Sequence, residues 1–309
     1  MINPDLPLVS VCIPSYNRAT RLRRAVEKLL AGTYPNLEII ISDNGSTDGT
    51  QEVAAALCQA SPRVRYFRHP QNQGPTRNFE FARSRATGKY FLWHGDDDYL
   101  SPDYIRLCVQ ELEKDPSLVL ASGLAAYHAG DEVVTRYGNV INAEAASPLR
   151  RMMTYIFSVE ENSIFCGAYR RASVAHCTFP NVLAGDWAWM SEVLAEGRAR
   201  VLPQALVYRD ESDNSSSSLE RNVAILGVPA WHAKASWLAI PLNLANYLGF
   251  RAARMRSRFI LAKLWRWLII FSVAFLKQMV LWVGPKIPGV PALYRALFAT
   301  RNIHPPRAS

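Results

Sequence analysis

Lys89-Tyr90-Phe91-Leu92-Trp93-His94-Gly95-Asp96-Asp97-Asp98-Tyr99-Leu100-Ser101-Pro102 is an apolar run that stops abruptly in three consecutive carboxylates. Tyr90 to Trp93 is short, aromatic and apolar, which fits a strand buried on both faces. Ser101-Pro102 then predicts a new helix, with Ser as N-cap and Pro at the first helical position. The carboxylates are thereby assigned to a loop at a strand's carboxyl end, the edge where open α/β sheets bind ligands. Close like charges raise one another's pKa unless something positive lies between them, and hard oxygen donors suit Mg²⁺ or Mn²⁺. A divalent ion holding a phosphate-bearing substrate is the economical reading. A solvated acidic loop at a helix start is the plain alternative.

The surrounding chain supports an α/β sheet. Leu8 to Ile13 reads as a first buried strand, followed by Leu22, Ala25, Val26, Leu29 and Leu30 at helical spacing. Leu37 to Ile41 is a second strand, and Ser42 to Gly49 a turn that caps the next helix. Val64 to Phe67 is a third strand, Phe79 to Ala86 a helix and Tyr90 to Trp93 the fourth strand. Such alternation predicts βαβ units and a mostly parallel sheet with helices on both faces. Right-handed crossovers put four polar loops on one edge: Pro14 to Arg18, Asp43 to Asp48, Asn72 to Asn78 and Asp96 to Asp98. Beyond them, Leu118 to Ala126 and Val133 to Tyr137 read as strands, and Leu149 to Phe157 and Asp186 to Glu196 as helices. Phe165 to Tyr169 returns to the sheet, and Val201 to Pro203 with Ala205 to Tyr208 form a last strand pair.

Charge divides the 309 residues unevenly. Thirteen of the 35 Lys and Arg follow residue 220, and none of the 26 Asp and Glu do, so residues 1 to 220 carry 22 basic against 26 acidic groups. The asymmetry points to an anionic surface as partner of the tail alone. Five scattered cysteines without a C-x-x-C pair exclude a zinc ribbon or disulfide framework and fit a reducing compartment. The N-terminal residues lack the pattern of a signal peptide, so a cytoplasmic location is expected.

Together, Val11-Cys12-Ile13-Pro14-Ser15-Tyr16-Asn17-Arg18, Ile39-Ile40-Ile41-Ser42-Asp43-Asn44-Gly45-Ser46-Thr47-Asp48, Asn72-Gln73-Gly74 and Asp96-Asp97-Asp98 resemble the inverting GT-A glycosyltransferases of the large family 2 type. The resemblance covers residues 7 to 210 and implies a nucleotide-sugar donor, a UDP-sugar first among them, and a divalent metal, Mn or Mg. It implies that Pro14, Tyr16 and Asn17 line the base and ribose, and that Asp43 accepts from a nucleobase N–H; an Asx-turn is the alternative for Asp43. Gly74 and Arg77 fall where the family has a loop and a basic group near the donor; Arg77 neutralises phosphate or is a surface arginine. The family's D-x-D motif maps to Asp96-Asp97-Asp98, with Asp98 as metal ligand, Asp96 as second metal or ribose contact and Asp97 beside the donor. Asp186, in Gly185-Asp186-Trp187, matches the family's later acidic motif and is the candidate base for an acceptor hydroxyl. Many relatives carry two acids there; this chain has Gly185 before Asp186. Glu160 and Glu161 are the fallback, and Arg209 is a further candidate for the diphosphate.

The implied architecture is a GT-A catalytic domain over residues 1–220 and a basic, aromatic-rich helical extension over 221–309. Within Phe259 to Val283 the longest uncharged run is Trp267 to Leu276, ten residues, where a crossing needs about twenty. Trp and Phe mixed with Lys and Arg suit a helix lying in a membrane interface, at the cytoplasmic face; a helix packed on the catalytic domain is the alternative. The expected activity is sugar transfer to a carbohydrate or lipid-linked acceptor in polysaccharide or glycolipid assembly. Two other readings stand beside it: a sugar-phosphate nucleotidyltransferase, whose Gly-rich opening loop Pro14-Ser15-Tyr16-Asn17 does not match, and a non-catalytic nucleotide- or glycan-binding module. No nucleic-acid module is recognisable.

Overall fold

The computed structural model describes residues 6–96, 98–128, 134–141, 143–210, 218–251 and 260–283. Four parallel strands, β1 (Val9–Ser15), β2 (Leu37–Asp43), β3 (Val64–Arg68) and β4 (Tyr90–Trp93), lie in the spatial order β3-β2-β1-β4. Helices α1 (Ala19–Leu30), α2 (Thr50–Ala60) and α3 (Pro75–Ser84) connect them. The apolar spacing in α1 is realised directly, with Leu22, Ala25, Val26 and Leu29 buried. Because side chains alternate along a strand, β1 sends Val9, Val11 and Ile13 into a core on one face of the sheet and Cys12 into a core on the other. Both faces are therefore covered, as continuous apolar strands require.

Past β4 the sheet becomes mixed. An antiparallel strand, β8 (Ala168–Arg170), joins β4 to β6 (Leu118–His128), which runs parallel to β9 (Arg198–Asp210). An edge strand, β7 (Val134–Tyr137), pairs antiparallel with β6. Phe165 itself lies in a 3-10 turn over Ser163–Cys166, and the expected final strand pair is one strand. Its pairing with β6 steps from Gly123↔Leu202 to Leu124↔Leu206, so Pro203, which has no N–H to offer, falls in the irregularity.

Ser101-Pro102 does not open a helix. Tyr99–Leu100 forms a short strand, β5, antiparallel to β9. Ser101 is drawn into the same pairing: its N–H donates to the Leu206 carbonyl at 2.8 Å and its Oγ accepts from the Leu206 N–H at 3.0 Å. The following helix, α4, is Tyr104–Lys114 with Asp103 at the N-cap position. The extended partner strand outcompetes the local cap for this hydroxyl.

Further helices cover the second core. These are α5 (Pro148–Ser158), α6 (Gly185–Glu196) and, after the short α7 (Leu219–Leu226) and α8 (Trp231–Lys234), α9 (Ser236–Asn246) with a π-helical turn at Tyr247–Arg251. The final helix, α10 (Ile260–Val283), packs against α9 and α5. Leu244, Leu248, Ile270 and Ala274 share one core with Phe91, Trp93 and Trp189. Residues beyond 220 thus close the face of the sheet that holds α6. The opposite side of α10 exposes Trp265, Leu268 and Leu276. Among the described residues no helix is long and apolar enough to cross a membrane.

Candidate active site

The four polar loops meet at the carboxyl edge of β1 to β4 through direct hydrogen bonds. Asn17 has a left-handed backbone, φ 54°, which an asparagine tolerates better than most residues. Its N–H donates to Ser46 Oγ at 2.9 Å and its Oδ1 accepts from the Thr47 N–H at 2.8 Å, joining the first loop to the second. Asn44 Nδ2 donates to Asn72 Oδ1 at 2.9 Å and to the Gly74 carbonyl at 3.2 Å, joining the second to the third. Ser15 Oγ donates to Asp96 Oδ2 at 2.8 Å, joining the first to the fourth. The close approach of the second and third loops needs Gly45, which has φ 74° and whose absent Cβ would lie 2.8 Å from the Gln71 backbone.

Within this edge Tyr16 is exposed and Pro14 half-buried, while Asp43 is completely buried. Asp43 accepts from the Ser46 N–H at 2.8 Å and the Tyr66 hydroxyl at 2.6 Å, and Arg68 Nε is 3.6 Å away. The Asx-turn is therefore present, and Tyr66 is a partner that sequence reading missed. Gly74 precedes α3 with φ 83°. Arg77 is exposed, with Nη1 3.4 Å from Gln73 Oε1.

Asp96 and Asp98 each face an arginine. Arg18 Nη1 is 3.9 Å from Asp96 Oδ1, and Arg209 Nε is 3.4 Å from the buried Asp98 Oδ1. Arg209 Nη1 also lies 3.7 Å from Glu161 Oε2. Asp97 lies outside the described residues. Among the described residues no three His, Cys, Asp or Glu side chains gather as a metal site. The two carboxylates nevertheless fit a Mg²⁺ or Mn²⁺ ion whose remaining ligands are substrate oxygens and water, because the set is hard oxygen throughout.

Asp186 stands on the wall of a cleft of about 300 Å³. Pro75 and Thr76 of α3 form one side of it, Gly185 and Asp186 the other, and Phe79, Phe179 and Ile225 supply apolar lining. Thr76 Oγ1 donates to Asn181 Oδ1 at 2.9 Å and fastens the two sides. The cleft thus begins at the third polar loop and ends at the candidate base. The turn into α6 explains why Gly185 replaces an acid: Ala184 is left-handed at φ 60°, and a Cβ at 185 would lie 2.3 Å from the Pro180 carbonyl oxygen.

Asn162 Nδ2 donates to Asp186 Oδ2 at 2.7 Å, and the Tyr155 hydroxyl donates to Asn162 Oδ1 at 2.8 Å. Burial of the carboxyl raises its pKa above the ordinary aspartate value; the Asn162 bond, backbone N–H groups at the start of α6 and Arg209 oppose that rise without cancelling it. The fallback acids are placed differently. Glu160 is exposed, and Glu161 is occupied by the Tyr127 hydroxyl at 2.7 Å and Ser163 Oγ at 2.6 Å. A half-buried carboxylate whose pKa is raised by desolvation, at a cleft wall, is suited to general-base chemistry.

Residues 10–178, more than half of the chain, match the sequence profile described as glycosyl transferase family 2. The chain belongs to this family. It is a glycosyltransferase with a GT-A fold. An uncharacterized glycosyltransferase of Haemophilus influenzae is 28% identical over 200 residues, 64% of this chain and 76% of that protein. The chondroitin synthase of Pasteurella multocida is 42% identical over 113 residues, 37% of this chain but only 12% of the synthase. Among solved structures, S. aureus TarS 1-349 in complex with UDP-GlcNAc aligns over 94% of this glycosyltransferase and 83% of that chain, at TM-score 0.55 and 18% identity. The mannosyltransferase PcManGT of Pyrobaculum calidifontis, in complex with GDP-Man and Mn2+, aligns over 88% of both chains at TM-score 0.54 and 18% identity. At such identities these structures establish the shared fold of the glycosyltransferase.

Proposed function

We propose that this glycosyltransferase takes a nucleoside diphosphate sugar, a UDP-sugar foremost, and transfers the sugar with inversion to a hydroxyl of a carbohydrate or lipid-linked acceptor. The observation that carries the reading is Asp186, a carboxylate with a raised pKa on a cleft that starts at the donor loops. Pro14, Tyr16 and Asn17 cradle base and ribose, and Asp43 reads a base N–H once the Tyr66 hydroxyl yields its place. Gly74 and Arg77 border the donor on the side of α3. Asp98 and Asp96 would hold a Mn²⁺ or Mg²⁺ ion, which when bound would neutralise the charge developing on the departing diphosphate. Arg209, within reach of Asp98, then turns toward phosphate oxygens.

Asp186 accepts the proton of the acceptor hydroxyl as its oxygen attacks the anomeric carbon from the face opposite the diphosphate. Asn162 fixes the carboxylate, and Phe79, Phe179 and Ile225 give the cleft an apolar wall. The similar proteins called chondroitin synthase favour polysaccharide or glycolipid assembly as the setting. For location, the exposed Trp265, Leu268 and Leu276 of α10 and the twelve basic residues after 220 other than the enclosed Lys277 support peripheral contact with an anionic membrane at its cytoplasmic face.

A panel of UDP- and GDP-sugars incubated with Mn²⁺, scored for release of the nucleoside diphosphate, tests the reading. Release from at least one donor is expected. No release from any donor, with or without candidate carbohydrate acceptors, contradicts it. The anomeric configuration of the product by NMR decides inversion.

A further inference from the structure

Lys277 is 1% exposed although it belongs to a helix whose sequence reads as a surface element. It projects from the inner face of α10, one turn beyond Ala274 and two beyond Ile270. Its ammonium donates to the Val159 carbonyl and lies 4.7 Å from the Trp187 ring centroid. Those two contacts bracket the Asn162–Asp186 pair. Val159 is the C-cap of α5, three residues before Asn162, and Trp187 is the peptide neighbour of Asp186. A buried ammonium is costly to keep, so these attractions oppose a substantial desolvation penalty. Burial lowers the Lys277 pKa to about 7, with Glu160 acting in the opposite direction.

Other contacts from the C-terminal helices reach the same place. Asn243 Nδ2 donates to the Leu183 carbonyl at 3.2 Å, just ahead of α6, and the Tyr247 hydroxyl bonds Glu192 Oε2 within α6 at 2.6 Å. Asn243 thus holds the entrance of α6, and Tyr247 its second half, from far along the chain.

We infer that Lys277 is a positioning residue for the transfer reaction: by tying Val159 and Trp187 together it sets the Asn162–Asp186 geometry and makes α10 a working part of the active site. The inference rests on Asp186 being the base. Lys277 touches no reacting atom; it holds the two segments that carry the base and the amide which orients it. A displacement of about 1 Å in a reacting group can cost on the order of 10²-fold in rate.

The test uses the full chain and two substitutions, Lys277→Met, which preserves volume, and Lys277→Gln, which loses charge and reach while staying polar. Folding is followed by thermal unfolding, donor-site integrity by calorimetric titration with UDP and Mn²⁺, and turnover by nucleoside diphosphate release from the most active donor of the panel. Each folded variant is expected to bind UDP as the native enzyme does and to lose on the order of tenfold in turnover. The loss should shrink to near nothing when repeated in an Asn162→Ala background, because both changes act on the same carboxylate. If Lys277→Met fails to fold, Lys277→Gln carries the comparison. Native turnover in a folded variant overturns the inference, as does a loss that stays undiminished beside Asn162→Ala. Asp186→Asn is assayed in parallel: native turnover there removes the base assignment itself, whereas an inactive Asp186→Asn with fully active Lys277 variants removes only the role of Lys277.

Discussion

Asn162 and Asp186, 24 residues apart in sequence, meet through a 2.7 Å amide–carboxylate hydrogen bond beside the cleft. The bond opposes the rise that burial imposes on the Asp186 pKa. Activity should therefore fall as pH drops through a value above the ordinary aspartate range, because the protonated carboxyl cannot accept the acceptor's proton. Asn162→Ala removes a lowering influence and should move that acid limb to higher pH. A pH profile of kcat/KM for both proteins checks the direction.

The same shift has a stability consequence. A group whose folded pKa is raised contributes stability that is present below its unfolded pKa and is lost as pH rises through the folded one. Asp186→Asn keeps the shape and removes the desolvated charge. It should raise the thermal midpoint at neutral pH relative to the native protein, with the difference shrinking on acidification. Calorimetric unfolding at several pH values measures it.

Asp98 and Arg209 form a 3.4 Å ion pair whose arginine is about one-third exposed. Because the Asp98 carboxylate is buried, removing its charge costs up to about 3–5 kcal/mol. Asp98→Asn should lose no more stability than that, yet abolish Mn²⁺-dependent donor turnover, and EDTA should silence the native enzyme until Mn²⁺ or Mg²⁺ is restored. Full activity in the variant, or in EDTA, removes the metal assignment.

Gly45 is held against the Gln71 backbone, so Gly45→Ala combines a positive φ with a contact of 2.8 Å and must part the second and third loops. The expected cost is about 1–3 kcal/mol, with weaker UDP binding. Unfolding in urea and calorimetric titration with UDP report the two effects. Unchanged values in both place the donor elsewhere.

Deleting the chain after Ser218 is a poor test of membrane binding, because Leu244, Leu248, Ile270 and Ala274 would leave the core open. Trp265→Ser with Leu268→Ser and Leu276→Ser changes only the outward face of α10. This triple variant should keep its turnover in solution and lose cosedimentation with anionic vesicles. Undiminished cosedimentation rejects that face as the contact.

Much of the sheet edge is legible in the sequence because β1, β2 and β4 are short and mostly apolar, β3 carries its apolar residues between two arginines, and each is followed by turn chemistry. The four polar loops then converge by the handedness of βαβ units alone. What escapes sequence reading is long-range partnership. Ser101 reads as a helix cap until β9 takes its hydroxyl and N–H. Tyr66 reads as one more strand aromatic, yet its hydroxyl lies on Asp43. Asn162 has no local signal pointing to Asp186, and Lys277 looks like a charge on an interfacial helix although it is enclosed. Each depends on which distant backbone arrives beside it, a property that periodicity and capping rules do not encode.

The most direct test of the central claim is nucleoside diphosphate release from the donor panel with Mn²⁺, comparing the native chain with Asp186→Asn. The native chain should turn over at least one nucleotide sugar, and Asp186→Asn should bind UDP normally while turning over about 10²–10⁴-fold more slowly. Release at the native rate by Asp186→Asn would contradict the account.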